Sequence, residues 1–189
     1  MRGHRGVAHL LRRPRLYAIV AIVVMAWGAA HAQAFDENRY FQQCLRFEAG
    51  GDLETARQAC LNAIQVRPDF AAAELALARI ELGLGEVASA ENRLRRVRNR
   101  IDTAEPLVLL AEAALASQRP GDAEALLQEA ESRLATQGNL ELEGKVAFLR
   151  GRIMQSQGRI GEALEAYAMA ILGNPLDVQD RLADANPLL

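Results

Sequence analysis

The chain has 189 residues, of which 50% are hydrophobic and 24% are charged, enough to bury the core of one domain. Its 24 acidic and 22 basic residues nearly balance, which excludes the strong positive charge typical of a nucleic-acid-binding protein. Aromatic residues make up only 5%, and the abundance of Ala, Leu, Glu and Arg favours helices.

The first 34 residues have the pattern of a secretory signal peptide. Five arginines precede an apolar run over residues 16–30, and small residues then offer cleavage after Ala32 or Ala34. Cleavage would give a periplasmic or secreted protein. An uncleaved anchor in the inner membrane is the alternative, because the apolar run approaches the length that spans a bilayer.

Removing this segment changes the chemistry that the chain can perform. All three histidines lie within it, and the loss of its five arginines leaves 17 basic against 24 acidic residues, a net charge of −7. Without histidine there is no Ser–His or Cys–His pair and no histidine metal ligand. We therefore predict no catalytic site, no cofactor and no metal, and we expect neither an enzyme nor a nucleic-acid partner.

Downstream of this segment, glycines recur at a nearly constant interval. Gly51, Gly85, Gly121 and Gly158 are separated by 34, 36 and 37 residues. Small residues recur at fixed distances on either side, as two helices need where their backbones approach each other closely. The residues assigned to this packing are Cys44, Gly51, Ala56, Ala63, Ala78, Gly85, Ala90, Gly151, Gly158, Ala163, Tyr167, Ala170 and Pro175.

The spacing of apolar residues between these glycines predicts four helical hairpins. Side chains that can accept hydrogen bonds from unpaired backbone amides stand where helices are expected to begin. These N-cap residues are Asp52, Asp69, Asp102 or Thr103, and Asn139. The predicted helices cover residues 37–49, 52–66, 70–83, 86–100, 104–118, 120–136, 139–157 and 160–172.

This arrangement resembles the tetratricopeptide repeat (TPR) family, whose unit is a helix-turn-helix of about 34 residues with small residues at the helix contact and a closing proline. The first and last units match best and end at Pro68 and Pro175. Asp102 replaces the proline of the second unit, and Arg133 takes a small-residue position in the third, which departs most.

The resemblance implies an all-α fold, a right-handed α-solenoid of about four TPR-like helix-turn-helix repeats over residues 35–175. Residues 176–189 would form a short C-terminal capping segment over the exposed end of the last hairpin. The implied repeats span about residues 37–70, 71–104, 107–140 and 144–177.

The two cysteines form the most informative pair of side chains. Cys44 and Cys60 lie 7 and 9 residues from Gly51, on opposite helices of the first predicted hairpin. This placement across the helix crossing suits a disulfide in an oxidising compartment, where it would contribute about 3 kcal/mol in the chain-entropy model. The alternative is that both are reduced and serve as small residues at the contact.

The resemblance also implies a concave surface lined by the first helix of each hairpin. Chaperone-binding members of the family hold a peptide carboxylate there with a Lys/Asn/Arg set, but Phe41 and Leu45 stand in two of those places. What remains is a mostly apolar groove flanked by Arg79 and Arg152, suited to an amphipathic helix or an extended peptide. Packing between neighbouring repeats is the alternative. The predicted groove residues are Asn38, Phe41, Leu45, Leu75, Arg79, Ala111, Leu115, Lys145, Phe148 and Arg152.

A series of five arginines runs from Arg93 to Arg100 in the second repeat. A solvated face with local pairs, for example to Glu91 or Glu86, is one interpretation, and a surface for an anionic partner is the other. Replacement by glutamine would leave partner binding unchanged if the first interpretation holds.

These features predict a non-catalytic interaction scaffold or adaptor in the bacterial cell envelope, whose groove binds a segment of another protein. One alternative is a self-assembling structural repeat, whose exposed last hairpin stacks on another copy. Another is an accessory repeat domain held by an uncleaved anchor. The expected partner is another protein or peptide, with a second copy of the chain as the alternative, and a membrane is involved only if the N-terminal segment stays attached.

Overall fold

The computed structural model describes residues 37–173, and all regular structure in that range is helical. The all-α prediction is confirmed, and each observed helix end lies within three residues of its predicted position. The signal peptide, Pro175 and the capping segment 176–189 lie outside the described residues. The helices are α1 (residues 37–49), α2 (Leu53–Val66), α3 (Ala71–Gly83), α4 (Val87–Val97), α5 (Glu105–Ala116), α6 (Pro120–Gln137), α7 (Leu140–Ser156) and α8 (Ile160–Gly173).

The helices pair into four hairpins that stack in chain order. α1 pairs with α2, α3 with α4, α5 with α6 and α7 with α8. Successive hairpins pack through α2 and α3, α4 and α5, and α6 and α7, while α3, α5 and α7 also lie side by side. This serial stacking, in which each hairpin buries its apolar side on its neighbours, is an α-solenoid.

Two of the predicted N-caps are present. The Asp52 carboxylate accepts a hydrogen bond from the Thr55 amide over 3.1 Å, and the Asn139 side chain accepts one from the Leu142 amide over 3.2 Å. The predictions for Asp69 and for Asp102 or Thr103 are wrong, because α3 and α5 begin without a side-chain cap. At α5 the Gln137 side chain, which comes from α6, accepts from the amide at the helix start instead.

Three of the four turns place a glycine in the left-handed backbone region, where side chains are strained. Gly51, Gly85 and Gly158 have φ of 78°, 78° and 75°. In the third hairpin this residue is Gln118, with φ of 57°, and Gly121 lies inside α6. The prediction that Gly121 marks the third turn is therefore wrong. Pro120 explains the shift, because proline favours the first position of a helix and the turn must precede it.

Counting from Gln118 brings the third repeat into agreement with the others. The positions seven before and five, nine and twelve after the turn are then fully buried apolar residues, and Arg133 no longer occupies one of them. Its guanidinium instead donates to the Thr103 carbonyl over 3.1 Å. The four residues in the corrected frame are Ala111, Ala123, Leu127 and Ala130.

The corrected turns, at residues 51, 85, 118 and 158, are separated by 34, 33 and 40 residues. The extra length lies between the third and fourth turns, where α6 has 18 residues and α7 has 17. The other described helices have at most 14 residues. The last hairpin is therefore joined to the stack by the two longest helices of the described chain.

Candidate functional site

Each hairpin has a crossing pair, formed by the residues seven before and nine after its turn. In the first hairpin this pair is Cys44 and Cys60, both fully buried, with their sulfur atoms 2.02 Å apart and their Cα atoms 5.1 Å apart. The structure thus brings the two predicted cysteines together at the helix crossing. The next two pairs are apolar: Ala78 with Leu94, and Ala111 with Leu127.

The fourth crossing pair is Gly151 and Tyr167. A Cβ atom on Gly151 would lie 2.4 Å from Cε1 of the Tyr167 ring, so only glycine leaves room for this ring. The ring also packs on Phe148, with centroids 5.6 Å apart, and its hydroxyl donates to the Gln155 side chain over 2.7 Å. Burial raises the pKa of Tyr167 above its ordinary value.

Ion pairs link the first helices of the four hairpins along one face, which we call the inner face. On α3, Arg79 donates to Glu48 of α1 over 2.9 Å and also pairs with Glu105 of α5. Lys145 of α7 lies 2.9 Å from Glu112 of α5. The hydrogen bond that Arg79 donates to Glu48, together with both carboxylate charges, raises the pKa of Arg79. Two of the three cations predicted to serve a ligand, Arg79 and Lys145, therefore join neighbouring repeats.

Most apolar side chains of the predicted groove also lie in contacts within the array. Leu75 and Phe148 are only 7% and 4% exposed and belong to core clusters, and Ala111 is fully buried. Leu45 and Leu115 are half-buried against the core. These side chains therefore serve packing between neighbouring repeats, because the large residues of each first helix fill the interface with the next hairpin.

The ends of the inner face are more open. Phe41 is half-buried and packs on Phe70, with ring centroids 4.8 Å apart, and the Arg67 guanidinium lies over the Phe70 ring at 3.6 Å. Asn38 and Arg152 are exposed. The structure therefore keeps an aromatic patch at the first repeat and a polar surface at the last, with paired charges between them.

The arginine series of α4 is held by glutamates of neighbouring helices. Arg93 lies 2.9 Å from Glu81 of α3, whose side chain is buried, and 3.7 Å from the buried Glu74. Arg95 and Arg98 lie 2.6 and 3.0 Å from Glu91 and Glu129. The ion pair with Arg93 explains why Glu81 can be buried in α3, since its charge is neutralised there.

The pair predicted between this series and Glu91 is present, but Glu86 pairs with Arg57 of α2 instead, over 2.5 Å. Glu91 also accepts from Arg119 at the start of α6, and this hydrogen bond, more than the one from Arg95, lowers the pKa of Glu91. The partners Glu74, Glu81 and Glu129 lie 12 to 31 residues away and carry no signal in the local sequence.

A cleft of about 540 Å³ opens between α6, α7 and α8. Its floor is apolar, and its rim carries four glutamates and one arginine. Successive helical residues are rotated by about 100°, so the α7 residues that line it lie on the side opposite to Lys145, Phe148 and Arg152. We call this surface the outer cleft. It is lined by Glu131, Leu134, Ala135, Glu143, Val146, Ala147, Arg150, Met154, Glu162, Glu165, Ala166 and Met169.

In residues 37–173, no group of three or more Cys, Asp, Glu or His side chains is placed to hold a metal ion. None of the helices in the same range combines the length and the apolar character needed to cross a bilayer.

The stacked hairpins, with a left-handed turn residue and short side chains at their crossings, define a helical solenoid repeat protein. Residues 48–105 match the family model of the tetratricopeptide repeat. The match shows that residues 48–105 are tetratricopeptide repeats, and the remaining described hairpins continue the same helical fold.

Solved structures of this fold align with most of the chain. A crystal structure of MamA protein is 20% identical, covers 74% of each chain and has a TM-score of 0.55. A MamA RS-1 ArsTM double mutant is 15% identical, covers 87% of this chain and 96% of its own, and has a TM-score of 0.57. YrrB, described as a TPR protein with an unusual peptide-binding site, is 17% identical over 83% and 92% of the two chains, with a TM-score of 0.53. A comparison with curated protein sequences found no match.

Proposed function

We propose that this chain is a non-catalytic adaptor of the bacterial cell envelope, which holds a segment of another protein on the inner face of its repeat array. The observation that carries the proposal is the stacked array itself, because serial hairpins present a long continuous surface and proteins of this fold act as interaction scaffolds. YrrB, with the same fold, is described as having a peptide-binding site.

The inner face suggests where such a segment would lie. The Phe41–Phe70 patch offers an aromatic contact at the first repeat, and the exposed Arg152 offers a cation at the last. Between them, the paired charges from Glu48 to Lys145 form a polar surface, so the segment would be held mainly at its two ends. An extended peptide with one apolar and one acidic end fits this pattern.

Photo-cross-linking tests this surface. A photo-reactive residue at Asn38 or Arg152, both exposed on the inner face, is expected to capture a partner, which mass spectrometry identifies. The matched control is Glu54, exposed on α2, which should capture nothing beyond background. Equal capture from Glu54 would reject the inner face as the binding surface.

Export is the second part of the proposal. It is supported by the signal-like residues 1–34 and by the placement of Cys44 and Cys60, which suits a disulfide in an oxidising compartment. N-terminal sequencing of the natural protein is expected to start at Gln33 or Phe35. A start at Met1 would favour the anchored accessory domain, and two free thiols under denaturing, non-reducing conditions would reject the bridge.

The exposed face of α8 favours self-assembly as a second candidate function. Leu164, Ile171 and Leu172 lie on one side of this helix and are all exposed, in contrast to the buried faces of the other hairpins. A second copy stacked there would continue the array. Sedimentation at micromolar concentration tests this: Leu164→Glu should convert a dimer to a monomer, whereas a strictly monomeric wild type rejects self-assembly.

A further inference from the structure

We propose that the outer cleft binds a basic amphipathic helix of a partner protein. This surface lies on the opposite side of α7 from the inner face, so the inference goes beyond the adaptor function proposed above and does not depend on it. It rests on the shape, the charge and the side chains of the cleft.

The shape of the outer cleft fits a helix of about three turns. Its lining on α7 extends from Glu143 to Met154, which at 1.5 Å per residue is about 16 Å. α6 and α8 form its two sides. Helices that dock in grooves place apolar anchors at positions i, i+3 or i+4, and i+7, which requires a trough of this length.

The floor of the cleft is made of apolar and adaptable side chains. Leu134 and Val146 are buried at its base, and Met154 and Met169 line it nearer the opening. These are the only methionines of the chain beyond residue 25. Methionine has a flexible, polarisable side chain and is frequent on surfaces that accommodate apolar partners. Met169 is 62% exposed, which leaves its side chain available to a ligand.

The rim of the cleft selects for positive charge. Four glutamates and one arginine give it a net charge of −3. Arg150 pairs with Glu131, and Arg159 pairs with Glu162. Within residues 37–173 this leaves the carboxylates of Glu143, on α7, and Glu165, on α8, without an ion pair. Lysine or arginine residues that flank an apolar stripe would meet these two carboxylates.

Charge also argues against the chain itself as the occupant. Residues 174–189 carry three aspartates and one arginine, so their charge has the same sign as the rim. The α4 arginines of a second copy have the right sign, but the large apolar side chains of α4, Leu94 and Val97, are buried and cannot fill the floor. Residues 1–34 are both basic and apolar, and they compete only if the signal peptide is retained.

The test uses two synthetic 14-residue peptides, measured by fluorescence anisotropy against the exported protein. One carries leucine at every third and fourth position with lysine on both flanks, and its twin has glutamate in place of each lysine. The lysine peptide is expected to bind and the glutamate peptide to bind at least tenfold more weakly. Raising the salt concentration should weaken binding of the lysine peptide, because the charges on the rim are exposed and are screened by salt. Equal binding of the two peptides overturns the proposal.

Variants of the protein locate the binding. E143Q/E165Q is expected to weaken the lysine peptide by roughly tenfold. M169K should weaken binding of the lysine peptide at least as much, because it places a positive charge, the same sign as that of the peptide, in the apolar lining of the cleft. The matched control is E54Q/E141Q, which removes two exposed carboxylates outside the cleft and should change nothing. Equal effects of the two double variants reject the site.

Two other outcomes identify a different occupant and also overturn the proposal. If protein that starts at Met1 fails to bind the peptide while the cleaved protein binds it, residues 1–34 fill the cleft. If E143Q/E165Q abolishes self-association in sedimentation, a second copy fills it. Both readouts are independent of cross-linking from Asn38 and Arg152, so failure of this site leaves the inner-face proposal standing, and the reverse also holds.

Discussion

The first and last hairpins use different chemistry at equivalent positions. Seven residues before and nine residues after the turn, the first hairpin has Cys44 and Cys60, and the last has Gly151 and Tyr167. Two small side chains meet in the first crossing, whereas in the last a large ring fills the space left by a glycine. The repeat therefore constrains the combined volume of the pair at each crossing and leaves the identity of its members open.

The two hairpins also differ in what supports them from outside. The first is tied to the second by Arg57 with Glu86 and by Arg79 with Glu48. The last hairpin is likewise tied to the third, by Lys145 with Glu112 and by Arg150 with Glu131, but the outer apolar side chains of α8 are exposed. The two ends therefore differ in the paired cysteines of the first hairpin and in the open apolar surface of the last. Substitutions at the two crossings test whether these differences between the first and last hairpins determine stability.

Replacing Cys44 and Cys60 together by alanine is expected to have the largest effect, a loss of about 3 kcal/mol in unfolding free energy for a closed loop of this size. Alanine preserves the small volume at the crossing, so the loss reports the bridge. Urea unfolding measures it. Reductant should lower the midpoint of the wild type and leave the double variant unchanged. Equal midpoints of wild type and variant under oxidising conditions would show that the cysteines act only as small residues.

Gly151→Ala is expected to cost about 2 kcal/mol, because the added methyl group overlaps the Tyr167 ring and the helices must separate. Thermal and urea unfolding measure the loss. Gly161→Ala, on α8, is the matched control: a Cβ there meets nothing within 4 Å, and the gain in helix propensity should stabilise the protein by up to about 1 kcal/mol. Similar losses from both variants would show that helix packing at Gly151 is not the cause.

A double variant sharpens the same comparison. G151A/Y167L converts the last crossing to the alanine and leucine pair that the second hairpin has at Ala78 and Leu94. We expect it to be more stable than the sum of the two single variants predicts, by at least about 0.5 kcal/mol, since the smaller side chain makes room for the methyl group. Additive losses would contradict a volume constraint at the crossing.

The sequence was sufficient to predict the helices and three of the four turns, because periodic apolar residues and left-handed glycines are local signals. It failed at the third turn for a physical reason. Gly121 has the expected spacing, but Pro120 starts a helix there and moves the turn to Gln118. The predicted helix already began at residue 120, so the proline at its start could have shown that the turn lies before it.

The candidate surfaces were much less predictable. Arg79 and Lys145 were predicted as groove residues, yet the glutamates that pair with them come from helices 26 to 33 residues away. The outer cleft was not predicted at all. It lies beside α6 and α7, whose extra length became apparent only once the third turn was placed correctly. The ion pairs of Arg79 and Lys145 and the outer cleft all depend on contacts between repeats, which no local sequence pattern encodes.

Substitutions at the turn residues test the assignment of residue 118 as the third turn, with smaller expected effects on stability. Gln118→Gly is expected to stabilise the protein by up to about 1 kcal/mol, because glycine adopts positive φ without the strain that a side chain brings. Gly85→Ala, at φ of 78°, should cost about the same amount. Opposite shifts in the melting temperature are therefore expected. A loss of stability in Gln118→Gly would contradict the assignment of residue 118 as the third turn.

The smallest expected effect is a pH dependence of stability that arises from Tyr167 in the last hairpin. Burial raises the pKa of Tyr167 above its ordinary value of 10.0, so the folded state favours the neutral phenol. The stability that this group contributes is complete below its unfolded pKa and is lost as the pH rises through the folded pKa. Unfolding free energies of the wild type and Tyr167→Phe, measured from pH 8 to 11.5, should therefore converge or cross as the pH rises. A difference that stays constant would show that the phenol is equally solvated in both states, and the last crossing would then lack the dry aromatic contact that distinguishes it from the first.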